Sequence, residues 1–307
     1  MSLIFNQILI LFIPVIIGYL AVKHKIVDKS FGKNLSSFLF NITLPCSIVS
    51  AMQFNFEPKM LVVGGVIIVI GTVVVLACFL FGFLLAGLLK AEGYEKRIIR
   101  YAAAFSNFSF MGYPVAEAFL GPEGLFYATI FSIPVYIFVQ SLGMTALVPP
   151  KEGDKKFRIE YILNPPLAGI YIGIALFILQ IKMPYAIEKT IFSLGDLTTP
   201  LAMTLAGLVL NEAPLKNAFM NFRAYVMALF RLVIIPLTIY FILKLFNFDE
   251  ITTKLPVIVS MMPVAANLVI VSTNYDGDVA AASQYVLLST LLSLFTIPLM
   301  GFIIGGF

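Results

Sequence analysis

Between Lys59 and Lys90 lie thirty residues, Met60 to Leu89, without a single charge. A helix needs about 20 apolar residues to cross ~30 Å of hydrocarbon, so this run alone points to a bilayer. The rest of the chain agrees with it. Of its 307 residues 60% are hydrophobic and only 12% charged, with a mean hydropathy of +1.00, whereas a soluble domain is about a quarter charged. One core cannot hide so much apolar surface, so the solvent is itself apolar. The chain reads as an all-α polytopic membrane protein.

The same composition excludes several chemistries. His24 is the single histidine and sits in a Lys-rich loop, which argues against histidine-based metal sites or catalysis. Neither an HExxH nor a GxSxG pattern occurs, so an enzyme is not expected. No cofactor is implied. Cys46 and Cys78 lie in apolar runs and read as small packing residues. The net charge of +4 carries no nucleic-acid signature; its information lies in its placement. "FNQILILFIPVIIGYLAV" at the start lacks the charged flank and cleavage site of a signal peptide and reads as a first span.

Span length places ten helices near 4–22, 35–53, 60–89, 98–119, 124–148, 161–182, 191–211, 218–246, 253–274 and 279–304. The loops after the odd-numbered spans collect fourteen basic residues: Lys23, Lys25, Lys29, Lys33, Lys90, Lys96, Arg97, Arg100, Lys151, Lys155, Lys156, Arg158, Lys216 and Arg223. The opposite side has five: Lys59, Lys182, Lys189, Lys244 and Lys254. Basic loops stay cytoplasmic, which predicts both termini on the non-cytoplasmic face of a multi-pass cell-membrane protein.

The two halves, 1–150 and 151–307, echo each other. "LFNITLPCSIVSAMQFNF" in span 2 matches "LGDLTTPLAMTLAGLVLNE" in span 7, aligning Pro45 with Pro200. "FMGYPVAEAFLG" in span 4 matches "SMMPVAANLVIVSTNYDGD" in span 9, aligning Pro114 with Pro263. "FYATIFSI" in span 5 resembles "QYVLLSTL" in span 10. Five spans is an odd number, so two such repeats lie inverted, a plan common among secondary transporters.

Spans 4 and 9 are interrupted. Pro114 cannot donate a helical hydrogen bond, and Tyr113 before it is pushed out of helical geometry. The predicted break covers 109–114, with a partner at 261–267 around Pro263. Unwound backbone at membrane depth is tolerated only inside protein or beside a watery cavity. Two crossing breaks would aim the N-termini of their second half-helices at one point, a site for an anion. Asn107 and Asn267 would add amides there, beside backbone at Gly112, Tyr113, Pro114, Pro263, Val264 and Ala265. Asn41, Thr43, Thr198 and Thr199, close to Pro45 and Pro200, are candidates for the opposite wall.

"GYLAVKHKIVDKSFGKNLSSFLFNITLPCSIV", "SNFSFMGYPVAEAFLG" and "MMPVAANLVIVSTNYDGDVAAASQYVLLSTLLSLFTIPL" together resemble the auxin efflux carrier, or PIN-like, family over essentially the whole chain. The resemblance implies a scaffold domain of helices 1, 2, 6 and 7 and a transport domain of helices 3–5 and 8–10. It also implies elevator-type movement of a small organic anion: auxin in plant members, malate or malonate in bacterial ones. A homodimer is left open. The bile acid:sodium symporters share the fold more distantly but carry an acidic residue on helix 9, where this chain has "PVAAN". A sodium site would therefore rest on Ser106, Asn107 and Ser132. Arg231 in span 8 is read either as a fixed cation behind the crossing, balancing an anion or replacing sodium, or as an internally paired or snorkelled residue. Asp196 is read as a helix cap or a proton-coupling acid, and Glu117 as a second proton-linked candidate.

Overall fold

A computed structural model describes residues 2–28, 30–148, 162–210 and 221–305. Lys29, Lys151, Lys155, Lys156, Arg158 and Lys216, used in the charge argument, lie outside the described residues. Those residues form helices and turns, joined by one isolated antiparallel bridge. In chain order the helices are α1 Ser2–Lys23, α2 Phe31–Ala51, α3 Pro58–Leu88 and α4 Gly93–Ala104. The next stretch, Gly112–Leu147, breaks at Gly121 (φ 69°, ψ −165°), giving α5 (112–120) and α6 (122–147). Then follow α7 Pro165–Leu179, α8 Tyr185–Val209 and α9 Phe222–Lys244. The chain closes with α10 Glu250–Ser260, α11 Asn267–Asn274 and α12 Val279–Ile303. Six helical stretches among the described residues are long and apolar enough to cross a membrane, and Leu9–Lys23 and Pro165–Leu179 are shorter apolar helices.

Prolines shape these helices. In α2 and α9 a proline, Pro45 or Pro236, withholds an N–H from the preceding turn. The helix widens into a π turn just upstream, over Leu39–Thr43 in α2 and Phe230–Ile234 in α9. The α8 helix is interrupted at Leu197, before Pro200. It starts at Tyr185, earlier than the predicted 191. Asp196 therefore lies inside the span, exposed, at the end of Tyr185–Asp196, and does not cap the helix as expected.

Apolar surface faces two environments. In α3 only 33% of the most apolar window is buried, and Val62, Val69, Val73, Leu80, Leu84 and Leu88 point outward. With lipid as solvent these residues need no protein partner. The corresponding share in Gly112–Leu147 is 67%, which puts this stretch at the centre. There α6 packs on α3, and α4 packs on α3 as well. The α10 helix joins Gly112–Phe138 and the Ile235–Lys244 end of α9, and α12 joins α9 and α11. The remaining helices form their own contacts: α1 runs along the Thr198–Val209 half of α8, and the Leu44–Ala51 half of α2 packs on α7 and on Tyr185–Asp196.

The α1–α8 contact depends on two glycines. A Cβ on Gly18 would strike the carbonyl of Thr204, and one on Gly207 the carbonyl of Val15. Helices in lipid associate through such close backbone approach. Gly207→Leu is expected to lower the thermal midpoint in detergent, by about 1–3 kcal/mol of stability. Gly65→Ala, whose added methyl meets nothing within 4 Å, should leave the midpoint in place and serves as the control.

Candidate functional site

The two breaks meet. Residues 105–111 separate α4 from α5, residues 261–266 separate α10 from α11, and Ser106 pairs with Val264 in an antiparallel bridge. The Asn107 N–H donates to the Pro263 carbonyl at 2.7 Å, and the Ala265 N–H to the Phe105 carbonyl at 3.2 Å. The Val264 N–H goes to Ser289 Oγ on α12 at 3.1 Å. Polar backbone inside a membrane protein has to find partners, and here each unwound segment supplies them to the other.

The carbonyls released by the breaks are also taken. Val259 lies one turn before Pro263, which has no N–H to give it; Ser106 Oγ donates instead, at 3.1 Å. The Ala103 carbonyl lacks its helical donor because the Asn107 N–H has turned to Pro263. Arg231 Nη1 donates to it at 2.8 Å, while Arg231 Nε donates to the Met262 carbonyl at 3.3 Å. Arg231 is 3% exposed, so it is not snorkelled to an interface.

The predicted break in span 4 is displaced. It lies at 105–111 rather than 109–114, and Pro114 sits in the first turn of α5. A proline is well tolerated there, since the first helical N–H groups have no intrahelical acceptor anyway. Consequently the prolines do not correspond: Pro114 opens a half-helix, whereas Pro263 lies within the unwound piece. The positions that correspond are the two ends of each break.

A cavity of about 20 Å³ adjoins the crossing, lined by Asn107, Phe110 and Ala266 on one side and by Ala202, Leu205, Ala206 and Val209 of α8 on the other. Val286 and Thr290 of α12 complete it. The volume is that of roughly one water molecule. Asn107 is half-buried, and its amide offers both donors and an acceptor. Thr290 Oγ1 donates to the Val286 carbonyl at 2.7 Å. At the start of α11 the Leu268 and Val269 N–H groups donate to the Ala265 and Ala266 carbonyls at 3.0 and 3.1 Å, and Ala266 at that end borders the cavity.

The other candidate residues are distributed around this point. Gly112, Tyr113 and Pro114 are buried in the first turn of α5, and Tyr113 OH pairs with Ser132 Oγ at 2.6 Å. Pro263, Val264 and Ala265 are buried in the break itself. Asn267 opens α11 but is exposed and does not line the cavity; Ala266 occupies that place. Asn41 is exposed and donates to Ser37 O of its own helix at 2.8 Å. Thr43 and Thr198 are buried, with hydroxyls that have no hydrogen-bond partner among the described residues, and Thr199 is half-buried. None of these four lines the cavity, whose far wall is the α8 stripe one to three turns further along. Glu117 on α5 is exposed. Of the three sodium candidates, Ser106 spends its hydroxyl on Val259 and Ser132 donates to the Thr129 carbonyl at 2.6 Å. No group of three or more His, Cys, Asp or Glu suited to a metal ion occurs among the described residues.

The sequence reading missed Phe110, Ala202, Leu205, Ala206, Val209, Val286 and Thr290. In α8 the signal is an apolar stripe at helical spacing, which looks the same whether it packs a core or walls a cavity.

Paired half-helices that meet through extended backbone inside an apolar helical bundle, with a cavity at the meeting point, are the architecture of a membrane transporter. Comparison with known proteins gives the particular kind. The chain belongs to the membrane transport protein family, that of the auxin efflux carriers, whose family model matches residues 3–157 and 153–301. It is 26% identical to an uncharacterized transporter of Methanocaldococcus jannaschii over 97% of this chain and 98% of that protein. An uncharacterized transporter of Methanothermobacter thermautotrophicus is 25% identical over 96% of both chains. A protein of Rhizobium meliloti named "Putative malonate transporter" is 25% identical over 66% of this chain and 65% of its own length. The chain is thus a multi-pass membrane transporter and not an enzyme.

Proposed function

We propose that the chain is a secondary transporter of a small organic anion, a carboxylate such as malate, malonate or an auxin-like acid, bound where the two breaks cross. The observation that carries this reading is the hydrogen-bonded pair of unwound segments with Asn107 at their edge and the α11 N-terminus beside it. A helix N-terminus carries roughly half a positive charge, so this point attracts an anion and repels a cation. The relative named for malonate supports the carboxylate class.

The arrangement further supports ten spans in two inverted repeats, 1–150 and 151–307, with α4–α5 and α10–α11 as broken spans 4 and 9. On this reading α1, α2, α7 and α8 form a scaffold, and α3–α6 with α9–α12 form a transport body. The packing favours the division, since the tightest helix contacts fall within these two sets. The cavity lies between them and holds about 20 Å³, too little for a carboxylate. On this reading the cavity widens to admit substrate, and an elevator-type sliding of the crossing along the Ala202–Val209 wall is the movement proposed to widen it. The basic loops orient the termini away from the cytoplasm. A sodium-coupled importer is the alternative; it would draw on the oxygen lone pairs of Ser106 and Ser132, whose hydroxyl protons go to the Val259 and Thr129 carbonyls.

The test is a thermal-shift screen of purified protein against small carboxylates. The wild type is expected to be stabilised by at least one of them, with Asn107→Ala unfolding near the same temperature but losing that shift. Removing a hydrogen bond to a charged ligand costs about 1.5–3 kcal/mol, about ten-fold to a hundred-fold in affinity. Equal shifts in the two proteins would remove Asn107 from the site.

A further inference from the structure

Among the described residues, Arg231 binds both halves of the crossing through main-chain oxygens. Its Nη1 reaches the carbonyl of Ala103, in the last turn of α4, and its Nε reaches that of Met262, in the break after α10. The ion pairs among the described residues are Arg223–Glu95 and Lys254–Glu250, and Arg231 takes part in neither. A guanidinium this deeply buried ordinarily demands a carboxylate.

What compensates it is the ends of two helices. The C-terminal ends of α4 and α10 converge on the crossing, each with roughly half a negative charge, and together they offset about one positive charge. Carbonyls at unwound backbone and half-helix C-terminal ends are also the groups with which transporters of this architecture coordinate a coupling cation. Here a side chain has taken them. The π turn Phe230–Ile234 is the local device that carries Arg231 on α9, since the widened helix places it just before Pro236.

We infer that Arg231 is a covalently built-in counterion which fills the cation position behind the crossing, so that anion binding needs no sodium. The inference rests on the carboxylate reading above. Its consequence is electrical as well. The helix ends offset the field of Arg231 locally but carry no net charge, so its formal positive charge belongs to the transport body and is balanced by a bound monocarboxylate. Arg231 is thus a positioning and charge-balancing residue: it holds Ala103 and Met262 in place and does not line the cavity.

The experiment measures carboxylate-induced thermal shifts of the full-length protein in sodium chloride and in choline chloride. In the wild type the two salts are expected to give the same shift. In Arg231→Ala the shift should vanish in choline and return, at least in part, with millimolar sodium or methylguanidinium, because the vacated carbonyls accept a free cation. Should Arg231→Ala not yield folded protein, Arg231→Lys keeps the charge and is expected to bind in choline, whereas Arg231→Gln is not. A wild-type shift that appears only with sodium would overturn this inference and leave the carboxylate reading standing. A shift in choline undiminished by loss of the charge would also overturn it. No shift in either salt with any carboxylate would overturn the carboxylate reading and this inference with it.

Discussion

Cross-linking Phe110→Cys to Val209→Cys is expected to stop transport, with recovery on reduction. The two positions line the same cavity from opposite sides, one on the unwound piece before α5 and the other at the end of α8. If the crossing must slide away from α8 to exchange substrate between the two faces, a short bridge across the cavity holds the carrier in one state. The native cysteines permit a clean background: Cys78 is buried and Cys46 half-buried, and each is replaceable by serine or alanine. Uptake into proteoliposomes should fall about ten-fold or more on cross-linking with a short thiol-specific reagent. Full activity of the bridged protein would mean that the two walls do not separate during the cycle.

Filling the cavity is expected to act almost as strongly by a different route. Ala206 faces the crossing from α8 and is buried; leucine there adds three carbons to a space of about 20 Å³. Overpacking of this kind costs about 1–3 kcal/mol. The wall would then meet Phe110 and Asn107 where the solute has to sit. Ala206→Leu should therefore keep most of its folded yield while carboxylate uptake falls about a hundred-fold, a loss of roughly 2.7 kcal/mol of binding or translocation energy. Unchanged uptake would relocate the solute path away from α8.

How far the sequence discloses this arrangement depends on the physics behind each residue. The membrane class follows from the uncharged run after Lys59, because nothing else accommodates thirty such residues. Most helix ends fall close to the predicted spans, since charges and prolines mark where lipid gives way to water. The break at 261–266 was legible because Pro263 both lacks an N–H and lies within it. The break at 105–111 was misplaced by several residues because Pro114, the visible signal, is a helix starter there. Proline alone does not say whether it opens a helix or interrupts one.

Asp196 shows the limit of charge as a boundary marker. Of its two readings, helix cap or proton-coupling acid, the cap would mark a helix start, yet the helix begins at Tyr185 and carries the acid inside an exposed stretch. Asn41 and Asn267 were attractive for their chemistry, but each turns to an exposed face, and side-chain direction depends on helix rotation that no local motif specifies. Arg231 was recognised as costly, whereas its partners were not. Main-chain carbonyls are present at every position, and only the meeting of two distant segments frees these two.

The most direct measurement is the uptake of labelled malonate, malate and an auxin-like aromatic acid into proteoliposomes holding purified wild-type protein, with the Asn107→Ala variant alongside. The predicted result is saturable uptake of at least one of these acids, mutual competition among those carried, and uptake about ten-fold or more lower with Asn107→Ala. Uptake of every acid at the rate of empty liposomes, or uptake indifferent to Asn107, would contradict the proposal that the crossing binds a carboxylate.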